Sequence, residues 1–307
     1  MQDLKITIIT PSYNQGEYLE DTLLSVLSQQ YANLEYIVMD GGSTDNSADL
    51  IRKYESQLKF WESVKDKGQS DAINKGLKMA SGDVVAYLNS DDLYVPGTFN
   101  YVNKFFNENP DVDVLIGKTE FVDENGLPTK GFADLFDKEL NDQSMYAGCY
   151  IPQPSVFIKR KVIDQQGLFD QTLHYCFDYE YWLRIYNAGF KFKQVSQKLS
   201  LFRLQPSSKT NTAYTSGKFD AEFLRIFKHY YGKVSESGKR KTLIEAYATF
   251  TRLYYLHIEE TFGIAKAKKE SFEKIMEFKP SLRSTNILKL FIWLLLPDFI
   301  RKLRIGK

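Results

Sequence analysis

The amino-acid sequence predicts an α/β fold with a mostly parallel sheet, followed by a helical C-terminal region. Over the first hundred residues, short apolar runs alternate with segments whose apolar residues recur at helical spacing. This alternation is typical of parallel strands joined by crossover helices. After about residue 215 the strand pattern stops and helical periodicity continues. We therefore expect one domain over residues 1–214, with halves at about 1–97 and 98–214, and a helical region over 215–307.

Four apolar runs in the first half predict strands: KITIITP (5–11), LEYIVMD (34–40), LKFWESV (58–64) and DVVAYLN (83–89). A helical segment follows each of the first three: GEYLEDTLLSVLSQQ (16–30), GGSTDNSADLIRKYE (41–55) and SDAINKGLKMASG (70–82). In an open parallel sheet, ligands bind beyond the carboxyl ends of the strands. The residues that follow each run are therefore the first candidates for a site.

The second half is less regular. FNYVNKFFNENP (99–110) and DYEYWLRIYNAG (178–189) predict helices, whereas VDVLIG (112–117), PSVFIKR (154–160) and KLSLFRL (198–204) predict strands. The polar stretch QPSSKTNTAYTSGK (205–218) predicts the boundary before the C-terminal helices.

Composition excludes some classes of protein. An apolar content of 43% is enough for a large core and argues against disorder, and a net charge of +1 gives no support for nucleic-acid binding. Cys149 and Cys176 lack metal-ligand spacing and favour a reducing compartment. We see no signal-peptide pattern and no apolar window long enough to span a bilayer, so we expect a cytoplasmic protein.

Polar residues follow all four strands of the first half. They are Thr10–Asn14, Asp40–Asp45, a group at Asp66–Asp71, and Asn89–Asp92. Taken singly, each has an ordinary structural interpretation, such as Asp40 in a turn or Asp45 as a helix cap. Asp91 and Asp92 are harder to explain in this way, because adjacent carboxylates repel and a helix cap needs only one. The pair indicates a divalent cation with hard oxygen ligands.

Four segments together resemble the inverting family 2 glycosyltransferases of the GT-A fold. They are ITPSYNQGEYLEDTLLSVLSQQY, DGGSTDNS, DKGQSDAINKG and YLNSDDLYVPG, and the resemblance covers about residues 5–210. It implies that Pro11, Ser12, Tyr13 and Asn14 lie beside the nucleobase and ribose. It also implies that Asp40 accepts from the N3–H of uracil or thymine, that Asp71 faces the nucleotide or its sugar, and that Asp91 lies near the ribose or sugar. Asp92 would coordinate Mg²⁺ or Mn²⁺ bridging the diphosphate.

The resemblance extends to the second half. YCFDYEYWLRI (175–185) is similar to the segment that carries the family's catalytic base, and Asp178 stands at the base position with Glu180 two residues later. An N-cap for the helix at 179–188 is the alternative role of Asp178. Gln153 is a candidate for the acceptor side. Arg203 and Lys209 are candidates for neutralising phosphate, and Gln205 stands where the family often has a histidine.

The resemblance implies an inverting, metal-dependent transferase that moves a sugar from a UDP- or dTDP-sugar to an acceptor hydroxyl. A saccharide or lipid-linked saccharide acceptor, in surface polysaccharide or glycan synthesis, would fit this activity. A sugar-nucleotide pyrophosphorylase is one alternative, although TPSYNQG lacks the basic loop expected after its first strand. A scaffold that binds nucleotide-sugar without turnover is the other.

The C-terminal segment NILKLFIWLLLPDFIRKLRIGK (286–307) combines a dense apolar cluster with a basic end. It predicts either a helix packed on the protein or an interfacial segment on the inner face of a membrane. In the second case Trp293 and Leu294–Leu296 would lie in the lipid boundary and the basic end would contact anionic headgroups.

Overall fold

The computed structural model describes residues 2–130, 138–206, 208–209, 217–278 and 285–295, without the side chains of residues 286, 287, 290, 293 and 295. Its contacts divide the chain into two units. Unit 1 comprises Met1–Glu139 and Tyr150–Gln205, and unit 2 comprises Leu140–Cys149 and Pro206–Lys307. The sequence places the boundary at 214, and it gives no sign that residues 140–149 group with the C-terminal region.

Unit 1 is built on a mixed sheet with flanking helices. Its described strands are β1 (Ile6–Ser12), β2 (Leu34–Asp40), β3 (Phe60–Ser63), β4 (Val84–Tyr87), β5 (Leu93–Tyr94), β6 (Val114–Val122), β7 (Val156–Lys159) and β8 (Phe192–Arg203). Its described helices are α1 (Leu19–Leu27), α2 (Ser47–Lys53), α3 (Gln69–Met79), α4 (Thr98–Glu108), α6 (Arg160–Gln166) and α7 (Phe177–Asn187).

The strands lie in the order β3-β2-β1-β4-β7-β6-β8-β5. The first four pair in parallel, which confirms the expectation for the nucleotide half. The second half is mixed, since β7 is antiparallel to both β4 and β6 while β8 is parallel to β6. The two-residue strand β5 was not predicted, because so short a run has no readable periodicity.

Successive side chains of β1 point to opposite faces of the sheet, and both faces are covered by helices. Ile6 and Ile8 belong to a cluster that α1 and α4 cover with Leu23 and Phe99. The opposite face is covered by α3. A Cβ on Gly76 of α3 would lie 2.6 Å from Ile9, so this glycine lets the helix approach the strand closely.

Unit 2 is helical in the part that is described, as the sequence predicts. Its helices are α5 (Asp142–Ala147), α8 (Lys218–Lys233), α9 (Ser237–Phe262), α10 (Ile264–Glu277) and α11 (Thr285–Leu295). The long helix α9 contacts each of the other four. Its core is aromatic: the Phe223 and Phe250 rings stack at 4.4 Å, and those of Tyr247 and Phe278 at 4.5 Å.

The structure differs from the C-terminal prediction at one residue of α11. Leu294 in α11 is only 5% exposed, so it packs in the protein, and the expectation that it meets lipid is wrong. The side chain of Trp293 and residues 296–307 lie outside the described residues.

Candidate active site

Three polar residues lie in one row across the carboxyl edge of the parallel strands. Ser12 at the end of β1 pairs with Asp40 at the end of β2, and Asp40 pairs with Ser63 at the end of β3. Strand pairing therefore brings together residues that are far apart in sequence. Ser63 had no assigned role from sequence, because only the register of β3 places it beside Asp40.

Asp40 is 2% exposed, and nearby donors hold its carboxylate. Oδ1 accepts from Ser43 Oγ at 2.5 Å, and Oδ2 accepts from Ser63 Oγ at 2.6 Å and from Ser43 N at 2.9 Å. Gly42 follows with φ +79°, a conformation that favours glycine. Asp40 thus organises the turn after β2, the ordinary role that the sequence left open, and its contact with a nucleobase stays a prediction.

The loop after β1 is tied to the loop after β2. Asn14 adopts φ 51°, its backbone N–H donates to Ser43 Oγ at 2.8 Å, and its Oδ1 accepts from Thr44 N at 2.8 Å. Ser12 Oγ is buried and has no hydrogen-bond partner in the described structure, whereas the Tyr13 side chain is 59% exposed. A buried hydroxyl without a partner and an exposed ring, beside buried Pro11, suit a pocket for a polar, planar ligand.

The N-terminus of α3 carries Asp71 and receives a segment from the second half of unit 1. Asp71 Oδ1 accepts from Gln171 Nε2 at 2.9 Å. Asn74 makes two bonds of 2.9 Å with the backbone of Phe169. The chain that leads into α7 is therefore docked on α3, so the structure joins the segment carrying Asp178 to the nucleotide half.

The acidic pair follows β4 in a tight turn, where Asp92 N donates to Asn89 O at 3.1 Å. Asp92 is 1% exposed. Burial, and then the charge of Asp91, raise the pKa of Asp92 well above its usual value. Burial also raises the pKa of Asp91. Among the described residues, no cationic side chain forms an ion pair with either carboxylate. The repulsion inferred from sequence is therefore present in the fold.

Asn89 connects this pair to two neighbouring elements. Its Nδ2 donates to Asp92 Oδ2 at 3.1 Å and to Gln153 Oε1 at 3.3 Å, and its Oδ1 accepts from Gln69 Nε2 at 2.7 Å. Gln153 is 9% exposed and also donates to Tyr87 O at 2.8 Å. Gln153, predicted to face the acceptor, is thus part of the network that orients Asp92. The sequence places Asn89 at a strand end but gives it no role.

Arg203 at the end of β8 clamps the turn that carries the acids. Its backbone N–H donates to Asp92 Oδ1 at 3.1 Å. Its guanidinium donates to Asp91 O at 3.1 Å, to Glu124 O at 2.8 Å and to Asp21 Oδ2 at 3.0 Å. Arg203 is only 5% exposed. These contacts support a positioning role for Arg203, and its contact with phosphate stays a prediction.

Gln205 bonds directly to the acidic pair from the same end of β8. It is 1% exposed, and its Nε2 donates to Asp91 Oδ2 at 2.8 Å and to Gln15 Oε1 at 3.1 Å. A neutral amide therefore contacts the carboxylate at the position where the family often has a histidine. Lys209, the other phosphate candidate, is exposed and belongs to unit 2.

Asp178 lies in the first turn of α7, and the N-cap is Cys176, so the predicted alternative of Asp178 as the cap is wrong. Asp178 is partly exposed, and Oδ1 accepts from Tyr179 N at 2.7 Å. Glu180 is held on both oxygens by Arg184, at 3.2 and 2.5 Å. Arg184 therefore occupies the Glu180 carboxylate, and the role of Asp178 as a base stays a prediction.

The donor set suits a divalent cation that binds together with a diphosphate. In the described chain, no group of three or more His, Cys, Asp or Glu side chains could hold a metal ion. Mg²⁺ is usually held by one or two carboxylates together with substrate phosphates. Asp91 and Asp92 supply two adjacent carboxylates, and a cation would offset the repulsion and burial that raise their pKa values. The residues present therefore fit such an ion.

Comparison with known proteins identifies the family. The model for glycosyl transferase family 2 matches residues 7–167, which contain the strand ends, the acidic pair and Gln153. The chain belongs to glycosyltransferase family 2.

It is similar to an uncharacterised glycosyltransferase of Rickettsia typhi, with 31% identity over 227 residues, which are 68% of this chain and 66% of the relative. It is also similar to the Escherichia coli UDP-Glc:alpha-D-GlcNAc-diphosphoundecaprenol beta-1,3-glucosyltransferase WfgD, with 28% identity over 60% of this chain and 71% of that protein.

Solved structures show the same fold. S. aureus TarS 1–349 in complex with UDP-GlcNAc has a TM-score of 0.66 at 20% identity, covering 88% of this chain and 81% of that one. The mannosyltransferase PcManGT from Pyrobaculum calidifontis, in complex with GDP-Man and Mn²⁺, has a TM-score of 0.63 at 17% identity, covering 96% and 88%. This family 2 glycosyltransferase therefore has the GT-A fold, as the motifs predict.

The chain spans just under two thirds of the Rickettsia typhi relative's length, and 36% of a similar glycosyltransferase of Rickettsia bellii. Within the described residues, no helix has the length and apolar character needed to cross a membrane.

Proposed function

We propose that this family 2 glycosyltransferase transfers a sugar from a UDP- or dTDP-sugar to an acceptor hydroxyl, with inversion at the anomeric carbon. The observation that carries the proposal is the Asp91–Asp92 pair, in which Asp92 is buried, held at the carboxyl edge of the parallel strands with the pKa of both acids raised. Two repelling carboxylates at a ligand-binding edge suit a metal-bound diphosphate.

The nucleoside would lie over the ends of β1 and β2. Ser12 Oγ offers a buried hydroxyl without a partner, Tyr13 an exposed ring, and Asn14 a loop anchored to the next strand end. Asp40 would accept from the N3–H of a pyrimidine through Oδ1, which has one bond to Ser43, while Oδ2 has three. The complex of TarS with UDP-GlcNAc supports a uridine donor.

Asp92 would hold Mg²⁺ or Mn²⁺, with Asp91 near the ribose or sugar. When bound, the ion would neutralise the diphosphate as the bond between sugar and phosphate breaks. The chain's own contribution is orientation: Asn89 and the Arg203 backbone each bond to a different oxygen of the Asp92 carboxylate. The PcManGT complex with Mn²⁺ supports a metal in this fold.

Asp178 would take the proton of the acceptor hydroxyl as that oxygen attacks the anomeric carbon. A positioned carboxylate raises the nucleophilicity of a hydroxyl in the transition state. The docking of the preceding segment on α3 supports this role, because it ties the chain a few residues before α7 to the helix that carries Asp71. Asp71 would then face the nucleotide or its sugar.

The acceptor would be a saccharide or a lipid-linked saccharide in surface polysaccharide or glycan synthesis. The similarity to WfgD, a glucosyltransferase whose acceptor is linked to diphosphoundecaprenol, supports the lipid-linked form. Such an acceptor would require contact with a membrane surface, and we include contact through residues 286–307 in the proposal.

The test is a donor and acceptor screen on the intact chain with Mn²⁺. Release of UDP or dTDP from the matching nucleotide-sugar should depend on a lipid-diphosphate-linked saccharide acceptor. A pyrophosphorylase would instead form nucleoside triphosphate when pyrophosphate is supplied, and a scaffold would bind the donor and release nothing.

Two variants assign the base. Asp178→Asn should reduce turnover by roughly 10²–10⁴, the usual scale for general-base catalysis, and should leave UDP affinity unchanged. Glu180→Gln is the matched control, since Arg184 already binds this carboxylate, and it should retain most of the turnover. Turnover of Asp178→Asn near that of the wild type would contradict the assignment.

A further inference from the structure

Helices α10 and α11 of unit 2 expose apolar side chains on adjacent surfaces. Phe272 and Met276, one turn apart on α10, are 43% and 39% exposed, and Leu288 and Ile292 on α11 are 54% and 52% exposed. The rings of Phe272 and Phe291 lie 5.5 Å apart, so the two exposed stripes are neighbours. We call these five residues the α10–α11 face.

This face is distinct from the packed side of the same helices. On α10, Ala267 and Ile275 are buried, and on α11 Leu294 is buried. Both helices therefore use one side for the core of unit 2 and leave large apolar side chains outside it. Single exposed apolar residues are common, but a contiguous group on neighbouring helices marks an interaction surface.

The sequence around this face is strongly basic. Residues 262–307 contain eleven Lys and Arg against four Asp and Glu, a formal charge of +7, so residues 1–261 carry −6 of the chain's net +1. Two of these cations, Lys269 and Lys289, are exposed on α10 and α11 themselves. The near-neutral net charge of the chain is therefore the sum of a positive C-terminal segment and a negative remainder.

We propose that the α10–α11 face docks on the anionic surface of a lipid bilayer. Apolar and aromatic side chains flanked by lysines suit the boundary between acyl chains and negative headgroups. A second copy of the chain is a poorer occupant, because a symmetric interface would bring two segments of charge +7 together. The inference extends the proposed function, since a lipid-linked acceptor is reached from such a surface, but binding can be measured without turnover.

The test is co-sedimentation of the intact chain with vesicles, in the absence of donor. The chain should pellet with vesicles of phosphatidylcholine mixed with phosphatidylglycerol, much less with phosphatidylcholine alone, and less at high salt. Sedimentation velocity of the free protein gives its mass, which shows whether the chain is a monomer or a dimer.

Two pairs of variants separate the apolar and the charged contributions. Leu288→Ser with Ile292→Ser should weaken vesicle binding by at least about tenfold, because two large apolar side chains leave the lipid. Lys269→Glu with Lys289→Glu should weaken it by at least about 25-fold, since each Lys near an anionic surface contributes about fivefold.

Matched controls lie in unit 1. Leu127, which is 63% exposed, is the control for loss of exposed apolar area, and Lys59→Glu with Lys193→Glu is the control for charge. Leu127→Ser and the charge control should bind vesicles within about twofold of the wild type, apart from a small long-range charge effect. All variants change exposed residues, so their melting temperatures should stay near that of the wild type.

The proposal is overturned if the intact chain does not pellet with anionic vesicles, or if the variants on the face bind as well as the controls. It is also overturned if Leu288→Ser with Ile292→Ser converts a dimer to a monomer while vesicles are ignored. Vesicle binding without nucleotide release would support the surface and contradict the transferase proposal alone, so the two failures are distinguishable.

Discussion

Replacing Arg203 by Met should destabilise unit 1, because it removes the guanidinium that clamps the turn carrying the acids. Arg203 is 5% exposed, donates to the backbone carbonyls of Asp91 and Glu124 and to the Asp21 carboxylate, and lies 4.9 Å from the Tyr18 ring. Met retains an unbranched apolar stem against Tyr18 but donates no hydrogen bond.

The magnitude follows from these contacts. The two bonds to backbone carbonyls have a charged donor and lengths of 3.1 and 2.8 Å, and bonds of this kind contribute about 1.5–3 kcal/mol each. The pair with Asp21, whose side chain is 61% exposed, adds at most about 1 kcal/mol. Release of the guanidinium from burial offsets part of the loss, so we expect the free energy of unfolding to fall by about 2–4 kcal/mol.

Arg52 provides a matched control with the same groups at the surface. Its guanidinium pairs with Asp49 at 2.6 Å and lies 5.8 Å from the Trp61 ring, but the two charged side chains are 58% and 79% exposed. Arg52→Met should therefore change the free energy of unfolding by less than about 0.5 kcal/mol. Urea unfolding followed by tryptophan fluorescence measures both variants, with equal m-values as the check on comparability.

The reasoning is refuted if Arg203→Met and Arg52→Met lose the same stability. A large loss in Arg203→Met that Arg203→Lys fully restores would also contradict it, because an ammonium cannot reach three acceptors that a planar guanidinium bridges.

Two further perturbations test the buried acids. Asn89→Asp should lower the melting temperature at neutral pH, because a carboxylate replaces the amide that donates to Asp92 at 3.1 Å. Mn²⁺ with UDP should then raise the melting temperature more than in the wild type, and an unchanged melting temperature without ligand would contradict the network. In unit 2, burial raises the pKa of Asp220, whose Oδ2 lies 2.6 Å from His257 Nδ1. A raised folded-state pKa favours the fold below the unfolded pKa and loses that contribution as pH rises through the folded value. Asp220→Asn should therefore gain stability relative to the wild type as pH rises above about 4, the ordinary pKa of an aspartate, measured as paired melting temperatures, and a constant difference would contradict this.

Much of unit 1 could be predicted because its strands are short apolar runs with β-branched residues. Runs at 5–11 and 34–40 predict β1 and β2 to within a residue, and β4 was expected at 83–89 and found at Val84–Tyr87. Buried parallel strands have this local signature whatever their partners. The same local pattern shows which polar residues lie at or just after the strand ends. It therefore indicates Asp40, Asp91 and Asp92 as candidates for the ligand-binding site.

The roles of partners from distant parts of the chain could not be read in this way. Arg203 ends an apolar strand, and the sequence predicts that it contacts phosphate. Only the structure shows that its side chain is 5% exposed and bonded to the backbone carbonyl of Asp91. Asn89 and Gln153 are 64 residues apart, and their contact depends on β7 lying beside β4. Periodicity cannot report such pairings, because they depend on strand order.

The sequence by itself determined the class of fold, the acidic edge and the basic, apolar C-terminal segment, since composition and short-range periodicity are properties of the chain. Only the tertiary structure decided which oxygens of Asp92 are already bonded, that Arg184 occupies Glu180, and that Leu294 is buried while Leu288 and Ile292 are exposed. The physical reason is that burial and hydrogen-bond partners depend on which surfaces meet, and in this chain most of those surfaces come from residues far apart in sequence.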